Sequence, residues 1–241
     1  MIYIFDIDGT LTPSRNPIDK KFKEDFINFC KHQKVWLVTG SDRDKSIEQI
    51  GEDAWLSVDR AYQCCGNQVW SQGRLLKQTD WTTDEYLKDF LEFLLEKSEY
   101  KHRYGNHIEE RIGMVNFSTV GRDCNQEQRD AYFKWDNENK EREAFAWEIT
   151  QRYPWLDATV GGEISIDIYR KGEDKGQILN DLNGEKFTFF GDKLQPGGND
   201  YAILKENIKR KLEGNEFHEV KSWKDTRNLL ISIMQTDIGI V

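Results

Sequence analysis

Apolar positions along the chain fall into two rhythms. Ile2-Tyr3-Ile4-Phe5 is a short apolar run, and residues 2–7 are predicted as a buried strand that breaks at Gly9. Phe22, Phe26, Ile27, Phe29 and Cys30, within Lys20 to Lys31, mark a helical stripe. Val35-Trp36-Leu37-Val38 predicts a second buried strand ending at Thr39-Gly40-Ser41-Asp42, and Ser41 or Asp42 can cap a helix running through Ile47 and Ile50. Tyr62 to Leu76 predicts short strands with turns at Gly66-Asn67 and Gly73. This βαβ alternation implies a parallel sheet.

The rhythm then changes. Leu87, Phe90, Leu91, Leu94 and Leu95 follow the i, i+3, i+4 spacing of a helix, which Thr82 or Thr83 starts with Asp84 and Glu85 in its first turn. Ile108 to Val120 predicts strands, one centred on Val115 and Phe117. Asn125 followed by Gln128 forms a capping-box signature, and helical sequence continues to Tyr153, with a break expected near Asp136-Asn137. Ala158-Thr159-Val160 and Ile164 to Ile168 predict a hairpin around Gly161-Gly162. The first rhythm returns with Phe187-Thr188-Phe189-Phe190, a helix from Ala202 and a last helix from Trp223 to Ile233. The fold class expected is α/β: a Rossmann-like parallel-sheet αβα core, residues 1–79 and 171–241, interrupted by an α+β cap at residues 80–170.

Composition narrows the classes. Apolar residues make up 37% of the 241-residue chain, enough for a core and against wholesale disorder. A net charge of −9 argues against a nucleic-acid groove, which needs basic stripes. No apolar run approaches the length of a membrane span, and no basic or apolar leader precedes the first strand, so a cytoplasmic location is expected. Cys30, Cys64, Cys65 and Cys124 show neither zinc spacing nor a disulfide framework, and Cys64-Cys65 is expected in a reduced, partly buried turn.

Candidate chemistry concentrates at strand ends. Asp6 and Asp8 stand two apart, on one side of a strand tip beside the break at Gly9. An Asp-x-Asp alone is an ordinary polar strand end. Two like charges this close nevertheless favour a cation, and the pair suits a nucleophile and an acid/base partner around Mg²⁺, which is phosphoryl-transfer chemistry. Ser41 follows the second strand; Asp192 follows the Phe187–Phe190 strand, and Asp200 lies in the loop beyond it. Sites in open α/β sheets form outside the carboxyl ends of strands, where such residues converge. Asp6, Asp192 and Asp200 would offer Mg²⁺ the hard oxygen ligands it prefers, and Lys175 could balance charge near a phosphate. Arg111, Arg122 and Arg129 lie near strand ends and a helix start, and guanidinium groups bind phosphate in a bidentate way. Ser165 and Asp167 alternate onto one face of a strand and could bond sugar hydroxyls.

Taken in order, Asp6-Ile-Asp-Gly-Thr-Leu-Thr12, Thr39-Gly-Ser-Asp42, Lys175, and Gly191-Asp-Lys193 with Gly197-Gly-Asn-Asp200 resemble the four motifs of the haloacid dehalogenase superfamily, and the insert resembles its C2-type caps. Arg111 to Arg122, Gln126 to Arg129, Gly161 to Asp167 and Phe189 to Asp200 narrow the resemblance to the eukaryotic-type phosphomannomutases. That resemblance implies a hexose-phosphate substrate and interconversion of mannose 6-phosphate and mannose 1-phosphate. It implies Asp6 as nucleophile, Asp8 as acid/base, and Thr10, Ser41 and Lys175 around the phosphoryl group. Mg²⁺ would be held by Asp6, the Asp8 carbonyl, Asp192 and Asp200, with a hexose 1,6-bisphosphate as activator. Arg15, Arg111, Arg122, Arg129, Ser165 and Asp167 would bind substrate, the cap would close against water, and a homodimer would form through the cap.

The chain departs from the family pattern in places. Cys64-Cys65-Gly66 stands where Glu-Asn-Gly is expected, Ser118-Thr119 where Ser-Pro is expected, and residues 181–186 are compact. A Mg-dependent sugar-phosphate phosphatase is the alternative, because mutase and phosphatase share the core and differ in whether sugar or water receives the phosphoryl group. A silent sugar-phosphate-binding protein is a third reading, against which the full set of Asp6, Asp8, Lys175, Asp192 and Asp200 argues.

Overall fold

The computed structural model describes residues 1–14 and 16–237, so Arg15 lies outside the described residues. The first apolar run forms β1 (Ile2–Phe5), and α1 (Lys20–His32) follows, opened by Asp19, whose carboxylate accepts from the Phe22 amide. Next come β2 (Lys34–Val38), α2 (Arg43–Ile50), α3 (Glu52–Ser57), β3 (Arg60–Gln63), β4 (Gln68–Ser71) and β5 (Arg74–Gln78). The middle of the chain carries α4 (Glu85–Lys97), β6 (Ile108–Arg111), β7 (Met114–Phe117), α5 (Gln126–Asn139), α6 (Glu141–Arg152), β8 (Leu156–Gly161) and β9 (Ser165–Arg170). A 3₁₀ stretch, Lys175–Asp181, leads into β10 (Phe187–Gly191), α7 (Tyr201–Lys209), β11 (Glu216–Glu219) and α8 (Trp223–Asp237).

Two compact units result. The first comprises Met1–Gln78, Lys175–Pro196 and the chain from Asp200 on; the second comprises Thr79–Asp174 with Gly197–Asn199. The first unit holds a seven-stranded sheet in the order β11-β10-β1-β2-β3-β4-β5. Chain order runs outward from β1 in both directions, so β1 is the switch point of the sheet. Alternation along the strands sorts its apolar side chains onto two faces. Tyr3, Phe5, Val35 and Leu37 join Phe22, Phe26, Phe29, Trp55 and Leu230 of the helices on one side. Ile2, Ile4, Trp36 and Val38 join Ile178, Leu179 and Ile203 on the other. Both faces are covered, which is why β1 and β2 read as unbroken apolar runs.

The second unit holds an antiparallel sheet, β6-β7-β9-β8. Val115, Phe117, Ile166 and Ile168 pack against Leu87, Leu91 and Leu94 of α4 and Phe145 and Ile149 of α6. The alternate residues therefore face away from the helices, and a polar row runs across that side: Glu109, Asn116, Asp167 and Thr159 are in register.

Several local features differ from those the pattern predicts. β1 ends at Phe5, because the chain turns sharply at Ile7. β4 and β5 run antiparallel, since the turns at Gly66-Asn67 and Gly73 are too short for parallel crossovers. α4 is capped by Asp84 itself, which accepts from the Leu87 amide at 2.8 Å, whereas α2 is capped as expected, by Asp42 of the two candidates, which accepts from the Lys45 amide at 2.8 Å. The α5–α6 break falls at Lys140, in the left-handed region (φ 57°), because the Asp136 carboxylate accepts from the Arg142 amide and so stays helical. Cys64 and Cys65 are fully buried, and β11, with few apolar residues, gives no strand signal in the sequence.

Phe26 is fully buried and meets Phe5 edge-on, with ring centroids 5.7 Å apart. Phe26→Ala is expected to cost about 3–5 kcal/mol through the cavity it leaves, read as an earlier urea midpoint with an unchanged slope.

Candidate active site

The turn after β1 is wound around one carbonyl. Ile7 O accepts from the amides of Thr10, Leu11 and Thr12, and the Gly9 amide returns to Thr12 O at 2.9 Å. Gly9 has φ 78°, and a side chain there would also run into the Asp192 carboxylate, so two constraints select glycine. Asp6 still follows the strand, its amide bonded to Phe190 O at 3.0 Å, and its side chain is buried. Asp8 points elsewhere within reach: its Oδ1 accepts from Gln49 Nε2 at 2.8 Å. The Thr10 hydroxyl is buried without a hydrogen-bond partner.

β10 is the neighbour of β1 and delivers Asp192, while Asp200 precedes α7. Lys175, at the start of the 3₁₀ stretch, joins them: its Nζ donates to Asp6 Oδ1 at 2.6 Å and to Asp200 Oδ1 at 2.7 Å. Lys175, Asp6 and Asp200 are all buried, and Asp200 Oδ2 also accepts from the Lys193 amide. Burial works against the Lys175 charge, but Asp200 and Asp6 more than offset it and hold its pKa well above the usual lysine range. Burial pushes Asp6 well above the usual carboxylate range; Lys175 opposes this, and Asp200, Asp192 and Asp8 add to it. Burial first, then Asp200, lifts Asp192 to about 6, against the pull of Lys193 and Lys175.

Those directions describe a site short of positive charge. Carboxylate oxygens of Asp6, Asp192 and Asp200 lie within 4.8 Å of one another, with one lysine among them. A divalent cation fits this donor set, since hard oxygens around an excess negative charge are what Mg²⁺ prefers. The orphaned Thr10 hydroxyl leaves one donor that fits an oxyanion beside it.

Ser41 lies beyond the end of β2, the other neighbour of β1. Its loop is tied to the end of β3: Cys64 N donates to Ser41 O at 2.9 Å and Cys65 N to Thr39 O at 2.8 Å. Among the described residues no hydrogen bond joins Ser41 or Thr10 to the acidic cluster.

In the second unit, the polar side of the sheet carries the cationic candidates. Arg111 Nε and Arg122 Nε each lie 2.7 Å from an oxygen of Glu109. Arg122 Nη1 donates to Ser165 Oγ at 3.0 Å, and Asn116 Nδ2 donates to Asp167 Oδ1 at 2.6 Å. Arg129 pairs separately, 3.7 Å from Glu163. The three arginine side chains are only 9%, 14% and 6% exposed, so none is a solvated surface charge. Burial opposes ionisation of Glu109, but Arg111 and Arg122 overcome it and hold its pKa below the usual range. Burial and the Arg111 charge hold Arg122 below the usual arginine value. Glu109, Asn116, Gln49 and Glu163 were not among the sequence candidates. Glu109 had a signal, two residues before Arg111 on the same strand face; the others depend on register between distant segments.

Mg²⁺ is expected to raise the melting temperature of the protein, by about 2.7 kcal/mol of added stability at a hundredfold excess over its dissociation constant. Asp192→Asn is expected to lose this response without lowering the metal-free melting temperature. Asp192 holds its proton more tightly folded than unfolded. The stability it contributes is therefore present below the ordinary carboxylate range and gone once pH has risen through about 6. Scanning calorimetry of both proteins with and without Mg²⁺ checks this. A wild type indifferent to Mg²⁺ overturns the metal fit.

Comparison with known proteins gives the family. A tobacco relative (Nicotiana benthamiana) named phosphomannomutase is 34% identical over 237 residues, covering 94% of this chain and 91% of that protein. The fruit-fly phosphomannomutase (Drosophila melanogaster) is 30% identical, covering 98% and 96%. Among solved structures, a Streptococcus mutans protein superposes with a TM-score of 0.64 at 16% identity, covering 98% of this chain and 99% of that one. A HAD subclass IIB sugar phosphatase superposes at 0.59 and 15% identity, covering 100% and 99%. At those identities the structures speak for the fold alone. The family model for eukaryotic phosphomannomutase matches residues 22–236, across both units, and the chain belongs to that family.

Proposed function

We propose that this chain is a phosphomannomutase, interconverting mannose 6-phosphate and mannose 1-phosphate with a hexose 1,6-bisphosphate as activator. The observation that carries the reading is the presence of two separate phosphate-type sites. The first unit has the acidic cluster with Lys175, and the second has two largely buried guanidinium groups, Arg111 and Arg122, bridged by Glu109, with Arg122 also donating to Ser165. Phosphoryl transfer alone requires only the first; turnover of a bisphosphate requires a grip on the phosphate that is not being transferred.

Asp6 is the nucleophile in this reading: a carboxylate oxygen bonds to phosphorus and forms aspartyl-phosphate, while the phosphorus–oxygen bond to the sugar breaks. Lys175 holds one Asp6 oxygen and so fixes the rotation of the carboxylate. Asp8, held by Gln49, gives a proton to the leaving sugar oxygen and takes one back from the hydroxyl that accepts the group. Thr10, Ser41 and Lys175 hold the phosphoryl oxygens; the unsatisfied Thr10 hydroxyl supports its share. Asp6, Asp192, Asp200 and the Asp8 carbonyl would hold Mg²⁺, which supplies positive charge to the transferring oxygens.

The cap expected at residues 80–170, which the second unit contains, supplies specificity, and the segments 1–79 and 171–241 supply catalysis. Arg111, Arg122 and Arg129 bind the distal phosphate, Ser165 and Asp167 the sugar hydroxyls, and Arg15 extends this set. The substrate phosphate takes over guanidinium bonds that Glu109 and Glu163 hold in the free protein. We assign the chain a cytoplasmic location and a homodimer through the second unit. No helix among the described residues is long and apolar enough to cross a membrane.

Mannose 1-phosphate, Mg²⁺ and a trace of hexose 1,6-bisphosphate are expected to yield mannose 6-phosphate by phosphorus NMR, and Asp6→Asn is expected to abolish turnover with the fold intact. Free phosphate as the sole product overturns the mutase in favour of a phosphatase, and no turnover favours a silent binder. Arg122→Ala is expected to raise KM for hexose phosphate about tenfold or more, in line with the loss of a charge-assisted bidentate contact, while an aryl phosphate changes little. Equal effects on both substrates would remove Arg122 from distal-phosphate binding.

A further inference from the structure

Gln63, the last residue of β3, is completely buried, and its amide is spent on the loop that carries Ser41. The hydrogen-bond pattern assigns the amide orientation. The nitrogen faces Ser41 O at 3.0 Å, Ser46 Oγ at 2.7 Å and Asp42 O at 3.2 Å, and the oxygen accepts from Trp55 Nε1 at 2.9 Å. Ser46, also fully buried, donates its hydroxyl to Asp42 O at 2.9 Å. Trp55 is held in turn: the Arg43 guanidinium lies 4.9 Å from its ring centroid and 5.1 Å from that of Trp70. The carbonyls at 41 and 42 thus meet a side chain anchored outside the loop.

Burying an amide contributes little to stability over an apolar side chain of the same shape, because its hydrogen bonds replace those made to water. What this network adds is location. Ser41 O already accepts from the Cys64 amide, and Asp42 O from Ser46, so the loop closes without Gln63. With Gln63 it is fixed from two directions, and small displacements at a reacting group are expensive in rate. We propose that Gln63 is a positioning residue for phosphoryl transfer, holding the Ser41 loop so that Ser41 meets the transferring group at one place. The proposal rests on the role given to Ser41 in the proposed function.

A double-mutant cycle tests it. Gln63→Met keeps the shape and removes the amide. It is expected to lower kcat about tenfold, the scale of a small misplacement, with KM for mannose 1-phosphate within about twofold. In a Ser41→Ala background the same change is expected to lower kcat less than about twofold, because the group it positions is already gone. Ser46→Ala, a milder change, is expected to lower kcat about threefold with the same dependence on Ser41. Equal losses in both backgrounds, or no loss in the parent, overturn the proposal; a purely structural role lowers the melting temperature and leaves the two positions uncoupled. If the parent releases only free phosphate, the mutase reading fails, and the cycle run on phosphate release still decides Gln63. If it does not turn over, the cycle is run on orthovanadate affinity in the presence of Mg²⁺, with the same outcomes for and against.

Discussion

Lys175 sits between two buried carboxylates, and much of the first unit is arranged to make that contact possible. Its two partners come from opposite ends of the chain, Asp6 after β1 and Asp200 before α7. An isolated buried ammonium or carboxylate is prohibitive, so these groups are tolerable only together. The pairing is incomplete, because Asp192 and Asp8 add negative charge that one lysine does not offset. The cluster is therefore a compromise in the free protein, stable enough to form and still wanting a cation. A self-contained ion pair would have no need of metal or phosphate.

The same logic holds in the second unit with the signs exchanged. Arg111 and Arg122 are nearly buried, and Glu109 spans both. A carboxylate two residues before Arg111 keeps the cations from repelling one another while no anion is present. In the proposed reading, a phosphate bound there would exchange one anion for another. The net gain would then be smaller than a bare guanidinium pair would give, and product would dissociate correspondingly more easily.

The periodic elements were legible in the sequence because their signal is local. Phe22, Phe26 and Phe29 mark α1, and the unbroken runs at Ile2 and Val35 mark strands covered on both faces. Asp6 and Asp8 were legible as a pair, although only the turn at Ile7 separates their tasks. What stayed hidden depends on distant partners. The helix break at Lys140 follows from the reach of Asp136 to Arg142, and Gln49 looks like any polar helix residue until Asp8 lies beside it. β11, with its exposed Glu216 and Glu219, is a strand because β10 offers it an edge. Cys64-Cys65 reads as a turn, and its full burial follows from docking against the Ser41 loop.

The position of β1 at the centre of its sheet has a consequence for how the chain is made. β2 follows β1 closely, but β10, its partner on the other side, is paired at Ile2 with Phe187 and arrives only after the whole second unit has been synthesised. Until then one edge of an apolar central strand stands open on the ribosome, a template for wrong pairing. Asp6 waits equally long for Lys175, 169 residues away. Closing a loop of that length is slow but adds little free energy beyond that of a shorter one. The insertion point thus makes the Asp6–Lys175 contact one of the last that the growing chain can form.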